Sequence, residues 1–300
     1  MSSKSPFVTT LDSQLADKLL SDLTEQGFAI TNPPHTRFSA NKEGIACTLY
    51  LSGKLVIQGK ESAAFIEFYL EPEILKTFQF SHPLVTKNTA PHIGIDESGK
   101  GDFFGPLCIA GVYVDQQFDE LLKLGIKDSK VINDKSIYQL APKIKERCLW
   151  HVVRINPPKY NEIYANFKNL NRLLAWGHAT VIEHLVLKSG CKDVIVDQFA
   201  NPSVVELALK RKKIALNLTQ QHRAEEDIAV AAASILARHA FLEGLRQLGE
   251  EIGITLPKGS SSLTQTVGRQ IIEKRGKEQL LLLCKQHFKT LDAILGKKRE

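Results

Sequence analysis

The stretch HIGIDESGKGDFFGP, residues 92–106, limits what this chain can fold into more than any other stretch. Its apolar start predicts a strand that enters a hydrophobic core, yet that strand ends in two adjacent carboxylates, Asp96 and Glu97. Neighbouring acids repel each other, and charge at the edge of a core is costly unless it is compensated. A divalent cation beside a bound phosphodiester would compensate it, so the stretch predicts a metal site at the end of a strand.

The residues that follow show the pattern of a mixed α/β domain. Apolar and β-branched runs predict strands at 93–97, 107–114, 149–155, 193–199 and 214–220. Helical spacing predicts helices near 134–147, 159–189 with a break, 202–212 and 225–248. Two strands joined by a short turn, followed by strands that alternate with helices, predict a mixed β-sheet flanked by helices.

Residues 1–80 are predicted to form a smaller α+β domain, as suits a chain of 300 residues. Leucines at helical spacing predict a helix between Leu11 and Phe28, and residues 45–59 predict a β-hairpin that turns at Ser52 and Gly53. A second helix is predicted to follow the hairpin. Residues 81–91 hold two prolines and several small polar residues, which predict a linker to a second domain at 92–300.

Composition and cysteine usage exclude several classes of protein. No apolar run approaches 18 residues and the N-terminus lacks an apolar segment, so neither a membrane span nor a secretory signal is predicted. Five scattered cysteines without a C-x-x-C pair are typical of reduced thiols in a cytoplasmic protein. Residues 1–88 contain 8 basic and 9 acidic residues, so the formal charge of +6 arises in the rest of the chain. A basic excess beside an acidic cluster fits a polyanionic partner.

Further acidic residues lie at predicted element ends in the second domain. Asp197 closes the strand 193–199, and Glu225 and Glu226 open the helix 225–248. Sites in open α/β sheets form beyond the carboxyl ends of strands, which is where Asp96 and Asp197 are predicted to lie. Oxygen ligands at this density suit Mg²⁺ or Mn²⁺ rather than zinc. Asp197 can equally end a strand by accepting from a turn amide, and acids are favoured at helix N-termini by the helix dipole.

Neighbouring residues of an ideal strand point to opposite faces of the sheet. Asp96 and Glu97 are therefore expected to share one site only if the strand is distorted there, and Gly99 makes such a distortion cheap. Gly99 and Gly101 would also allow backbone groups to approach a ligand closely, with Lys100 facing phosphate, although an ordinary turn explains the same residues. Trp176 and His178 are predicted to line the core.

Several motifs together carry a family resemblance: GIDESGKGDFFGP, IKDSK, NLNRLLAWGHATVIEHL, IVDQF, RAEEDIAVAAASILARHAFLE and LPKGSSS, in this order. This set resembles the type 2 ribonucleases H, and specifically the ribonuclease HIII family, over residues 91–295. The resemblance implies a ribonuclease H-like mixed sheet and an endonuclease that cleaves the RNA strand of RNA–DNA hybrids with Mg²⁺ or Mn²⁺, leaving 5′-phosphate and 3′-hydroxyl ends.

The resemblance also implies roles for individual residues. The implied metal-ligating and catalytic carboxylates are Asp96, Glu97, Asp197 and Glu225. The spacing between Glu225 and the alanine run is one residue shorter than in similar proteins, so Glu226 and Asp227 are rivals for the fourth position. The implied substrate-binding residues are Ser98, Gly99, Lys100, Gly101, Lys127, Ser129 and Lys130. Ribonuclease HII has Gly-Arg-Gly where this chain has Gly-Lys-Gly, and lysine lacks the bidentate fork of arginine.

The N-terminal segment favours ribonuclease HIII over HII, because HIII proteins carry an extra domain similar to half of the TATA-binding protein fold. Residues 49–70 are similar to that domain, which is expected to hold the duplex through Arg37, Lys42, Lys54 and Lys60, while a packing or dimerisation module is the alternative. We expect a monomer without membrane contact. The alternative functions are incision at single ribonucleotides in duplex DNA, hybrid binding without catalysis, and cleavage of DNA on the same fold.

Overall fold

The computed structural model describes residues 6–75, 89–126, 129, 132–197, 203–221 and 224–296. The chain divides into two compact units, Met1–Leu84 and Val85–Glu300. The predicted linker at 81–91 lies largely outside the described residues, so the proposed domain limits stay a prediction.

The first unit is an antiparallel five-stranded sheet with helices on one face. Its elements are β1 (Phe7–Thr10), α1 (Ala16–Glu25), β2 (Ala29–Thr31), β3 (Thr36–Lys42), β4 (Ile45–Tyr50), β5 (Lys54–Gln58) and α2 (Ser62–Phe65), which continues as a π-helix, Ile66–Leu75. The strand order is β1-β5-β4-β3-β2. The predicted hairpin is confirmed, and Gly53 adopts the left-handed conformation that its turn requires.

Among the described residues of this unit, no helix covers the second face of the sheet. Leu19 and Leu23 of α1 and Leu70 of the π-helix cover the other face, where they pack with alternate strand residues such as Cys47 and Ile57. The uncovered face carries a row that crosses all five strands in register: Val8, Val56, Thr48, Ser39 and Thr31. The similarity to half of the TATA-binding protein stays a prediction.

The second unit is built on a mixed sheet of strand order β10-β9-β6-β7-β8. Its strands are β6 (His92–Ser98), β7 (Leu107–Val114), β8 (Leu149–Ile155), β9 (Asp193–Asp197) and β10 (Asn217–Gln221). Its helices in the described residues are α3 (Phe118–Lys123), α4 (Asp134–Arg147), α5 (Pro157–Phe167), α6 (Leu170–Ser189), α7 (Ser203–Arg211), α8 (Ile228–Ile252), α9 (Ser262–Arg275), α10 (Lys277–Leu283) and α11 (Lys289–Ile294). Strands β10, β9 and β6 run parallel, whereas β6, β7 and β8 run antiparallel. The predicted α/β class with a mixed sheet is confirmed.

Helices α6 and α8 cover opposite faces of this sheet. Ile93 and Ile95 of β6 belong to the hydrophobic cluster that α6 completes. Gly94 lies between them and faces α8, where an added Cβ would lie 2.2 Å from the backbone of Ala229 and Val230. Glycine at this position therefore allows the start of α8 to pack directly on β6.

Helix α8 is the main apolar element of the unit. Within the described part of the chain, it is the one helix that is long and apolar enough to cross a membrane by length and composition. The sequence analysis predicted no membrane span, because polar residues interrupt every apolar run before it reaches 18 residues. Of its apolar window, 78% is buried against the rest of the protein. Burial against both β6 and β7 accounts for that composition, because a helix that is apolar nearly all round belongs in a core.

Candidate active site

A cavity of about 630 Å³ lies at the carboxyl ends of β6 and β9. It is lined by Asp96, Glu97, Ser98, Gly99, Lys100, Gly101, Asp102, Ser129, Asp197, Arg238, Phe241 and Lys258. The fold thus brings three of the predicted carboxylates together with the glycine-rich loop, although about 100 residues separate Asp96 from Asp197 in the chain.

Asp96 and Asp197 are neighbours because their strands are parallel and adjacent. The pairing of β6 with β9 ends at Ile95 and Val196, and each aspartate is the next residue. Alternation places both aspartates on the α8 face of the sheet. Asp96 Oδ1 accepts a hydrogen bond from the Glu97 amide at 2.8 Å, and Asp197 Oδ1 accepts one from the Ala224 amide at 3.4 Å.

Glu97 reaches the same cavity from the α6 face. Its Oε2 lies 3.0 Å from Nε2 of the fully buried His178, and its Oε1 lies 3.6 Å from Lys100 Nζ. Burial raises the pKa of Glu97, but hydrogen bonds and charge from His178 and Lys100 outweigh burial and hold that pKa below its usual value. Glu97 is therefore ionised at neutral pH and available to a cation.

The expected distortion of the strand at Asp96 and Glu97 is wrong. Strand β6 stays in register with β7 through Ser98, and the left-handed residue, Gly99, comes only after that. Because the strand ends at the cavity, side chains from both faces of the sheet reach it. The core location predicted for His178 is confirmed. Its contact with Glu97 was not predicted, because the two residues are 81 positions apart and no local sequence pattern indicates such a contact.

Asp227, one rival for the fourth carboxylate, has a structural role instead. Its side chain is 1% exposed, and Oδ1 caps α8 by accepting from the amides of Ala229 and Val230 at 2.9 and 3.2 Å. It also contacts His92 Nε2 at 2.9 Å. Glu225 lies in the short 3₁₀ turn Ala224–Glu226, whose first amide contacts Asp197. The side chain of Glu225 lies outside the described atoms, so its role as a ligand stays a prediction.

The two glycines of the Gly-Lys-Gly loop differ in what the protein requires of them. Gly99 has φ +90°, and an added Cβ would lie 2.2 Å from the Pro106 carbonyl oxygen. Gly101 has an ordinary φ and is exposed, and an added Cβ would have no neighbour within 4 Å among the described atoms. The packing of the protein therefore explains glycine at 99 but not at 101.

Buried contacts anchor this loop. Lys285, which is fully buried, donates from Nζ to the carbonyl oxygens of Asp102 and Gly105 at 2.9 and 2.7 Å. Asp102 Oδ1 accepts from the Gly259 amide at 2.6 Å, so the PKG segment of the LPKGSSS motif holds the loop from the other side. Neither contact was expected from the sequence.

Two positively charged side chains that line the cavity, Arg238 and Lys258, were not predicted from the sequence. Arg238 and Lys258 each donate to Asp134 at 2.6 Å, and Arg238 also donates to the carbonyl oxygen of Ser129. The Ser129 amide donates to Ser234 Oγ at 3.1 Å, which places this predicted substrate residue in the cavity wall. Lys127 and Lys130 lie outside the described residues. Arg238 and Lys258 belong to two of the family motifs, but only the fold reveals that they face the carboxylates.

The donor set fits a hard divalent cation in its chemistry, because three carboxylates line one polar cavity. Within the described side chains, no three histidine, cysteine or carboxylate groups stand close enough to hold an ion in their present positions. Glu225 stays the predicted fourth ligand.

Comparison with known proteins gives consistent results. The ribonuclease HII family pattern matches residues 93–291, and a domain of unknown function (DUF3378) matches residues 6–81. Ribonuclease HIII of Protochlamydia amoebophila (strain UWE25) is 69% identical over 99% of both chains, and ribonuclease HIII of Chlamydia felis (strain Fe/C-56) is 51% identical over 96% of this chain and 97% of that protein. The crystal structure of Bst-RNase HIII in complex with Mn²⁺ is similar with a TM-score of 0.66 and 29% identity, over 97% of this chain and 98% of that one.

Proposed function

The chain belongs to the ribonuclease HIII family, and we propose that it is an endonuclease that hydrolyses the RNA strand of RNA–DNA hybrids with Mg²⁺ or Mn²⁺. The observation that carries this proposal is the meeting of Asp96, Glu97 and Asp197 with the Gly-Lys-Gly loop in one cavity. Carboxylates supply the metal ligands, and a loop with close backbone approach supplies recognition of ribose.

The four carboxylates Asp96, Glu97, Asp197 and Glu225 would hold the ions. When bound, two such ions supply an activated water and stabilise the leaving oxygen of the phosphodiester. His178 holds the Glu97 carboxylate in place from within the core. Asp134 orients Arg238 and Lys258 toward the cavity, where their charges suit the phosphates of a bound duplex.

Gly101 is the residue to which we assign close contact with the RNA strand. Backbone contact with the 2′-hydroxyl allows a protein to distinguish RNA from DNA. An alanine at 101 meets no obstacle within the described part of the protein, so its methyl group would obstruct only a ligand. Lys100, which is partly exposed beside Glu97, is suited to a neighbouring phosphate.

The first unit is proposed to hold the duplex through its uncovered sheet face. Lys54 lies on that face, opposite Thr10. Lys42 does not, because its Nζ donates to the Gln26 carbonyl oxygen and lies 5.7 Å from the Phe28 ring on the helix side. Thr31 and Thr48 are therefore better candidates for duplex contact than a continuous basic face, whereas Ser39 between them is buried and bonded to Thr48. We propose a monomer in the cytoplasm.

The proposal is tested with two labelled duplexes, in Mg²⁺ and separately in Mn²⁺. One is a continuous RNA–DNA hybrid, and the other is DNA with a single embedded ribonucleotide. We expect cleavage at several internal sites of the hybrid and little incision of the second duplex. Efficient incision at the lone ribonucleotide would instead support ribonuclease HII behaviour, and cleavage of an all-DNA duplex would indicate a DNA nuclease.

Asp96→Asn is expected to reduce hybrid cleavage by at least roughly 10³-fold while hybrid binding stays intact, because the change removes a ligand charge but little volume. Asp193→Asn is the matched control. Asp193 is exposed at the opposite end of β9, and this variant should cleave normally. Wild-type turnover by Asp96→Asn would overturn the mechanism.

A further inference from the structure

A second cavity, of about 540 Å³, lies between α6 and α7 and takes no part in the proposed chemistry. We call it the α6–α7 groove. It is lined by three small side chains that are buried or partly buried, Ala175, Ala179 and Ala208. Two aromatic rings that are only partly buried, Phe167 and Trp176, also line it.

The rim of the groove is cationic. Arg172, Arg211 and Lys212 line it, and Lys212 forms an ion pair with Glu183. Across the described part of the chain, no carboxylate pairs with Arg172 or Arg211. The groove therefore combines uncompensated positive charge with an apolar lining, which is complementary to an anion with a flat apolar part.

Ordinary helix electrostatics do not explain this arrangement. Basic residues near the end of α7 are favoured by the helix dipole, so Arg211 alone would need no other reason. Arg172, in contrast, lies in the first turn of α6, where the dipole disfavours a cation. It stands one turn before Trp176 on the same side of the helix, so the charge and the indole ring face the groove together.

Each of the two helices of the groove is connected to an element of the catalytic cavity. His178, two residues beyond Trp176 on α6, contacts Glu97. Helix α7 is the helix that follows β9, the strand that ends in Asp197. The groove therefore lies on elements next to those of the carboxylate cavity, although the two cavities have no lining residue in common.

We propose that the α6–α7 groove binds a single-stranded nucleic-acid segment that continues from the hybrid, with a base stacked on Trp176 and phosphates held by Arg172 and Arg211. Aromatic rings interleaved with unpaired arginines are the usual means by which proteins bind single strands without reading their sequence. The proposal rests on the proposed function, because its ligand is an extension of the hybrid substrate. The enzyme then prefers hybrids at junctions with single-stranded ends over blunt hybrids.

The chain contains only two tryptophans, so Trp150→Phe leaves Trp176 as the sole tryptophan reporter. Fluorescence and anisotropy are measured in EDTA with a blunt hybrid, with the same hybrid extended on the DNA strand, and with it extended on the RNA strand. We expect an extension to quench Trp176 and to tighten binding by roughly tenfold, the size of one stacked base. If only one extension quenches Trp176 and tightens binding, the extended strand, DNA or RNA, is the one that enters the groove.

Arg172→Gln combined with Arg211→Gln should abolish this gain and leave binding and cleavage of the blunt hybrid unchanged. Lys188→Gln, an exposed substitution in the last turn of the same helix, is the matched control and should keep the gain. The proposal would be overturned if all variants kept the same gain in affinity, or if neither extension quenched Trp176. It would also be overturned if Trp176 were quenched only by an acidic peptide, added as a further probe, and not by the nucleic acids. Because binding is measured without metal, failure of the cleavage assay alone would count against the proposed function and not against the groove.

Discussion

The buried pair of His92 and Asp227 allows a sharp test, because Asp227 was a rival metal ligand and the fold gives it another task. Its Oδ1 accepts from the amides of Ala229 and Val230, and its carboxylate contacts His92 Nε2. His92 Nδ1 lies 2.6 Å from the Ala90 carbonyl oxygen. Asp227 thus joins the start of β6 to the start of α8.

The two substitutions Asp227→Asn and Asp227→Ala should differ in cost. In Asp227→Asn the amide can still cap the helix, and it can still form a hydrogen bond with His92 once the imidazole is neutral. Only the charge of the partner is lost, so the free energy of unfolding should fall by about 1 kcal/mol. Alanine removes the cap and leaves His92 Nε2 buried without a partner, which costs about 3–5 kcal/mol. Neither change removes a group from the cavity, so both folded variants should cleave the hybrid with a kcat near that of wild type.

The pair also predicts the direction of a pH effect. Burial lowers the pKa of His92, but its hydrogen bond and charge interaction with Asp227 outweigh burial and hold the pKa above 6.5. A raised folded-state pKa means that the contribution to stability is complete below about pH 6.5 and is lost as the pH rises through the folded-state value. The difference in unfolding free energy between wild type and Asp227→Asn should therefore shrink as the pH rises above about 6.5 and through the folded-state pKa of His92.

The assay is urea unfolding followed by tryptophan fluorescence, which reports only on the second unit because Trp150 and Trp176 both lie there. Hybrid cleavage is measured in the same samples below the unfolding transition. A stable Asp227→Asn protein without cleavage activity would refute this reasoning, because it would show that the carboxylate serves the chemistry and not the helix.

Three further substitutions test the packing of the site. Gly94→Ala should lower the unfolding free energy of the second unit by about 1–3 kcal/mol in the urea assay, because its Cβ would collide with the α8 backbone. Gly101→Ala should leave stability unchanged and raise the KM for the hybrid, and unchanged steady-state kinetics would remove its assigned role. Lys285→Met should raise KM and lower stability by about 2 kcal/mol, because two buried carbonyl groups lose their donor. Unchanged steady-state kinetics in Lys285→Met would contradict this role of Lys285.

Much of the second unit could be predicted from local pattern alone. Strands 107–114 and 149–155 and helix 134–147 lie where the sequence predicted them, because each has an uninterrupted apolar period and clear end signals. The start of α8 was placed three residues early, since three acids in succession offer several helix starts and only the contacts of Asp227 select one.

The sequence by itself determined that carboxylates stand at strand ends beside a glycine-rich loop, because apolar periodicity, chain breaks and acidic residues are all local properties. Only the tertiary structure decided that His178 supports Glu97, that Asp134 holds Arg238 and Lys258, and that Lys285 pins the loop. It also decided that Arg172 and Arg211 face one groove. These pairs are separated by tens to hundreds of residues, and contacts at such separations are fixed by how helices pack on the sheet, which no local pattern records.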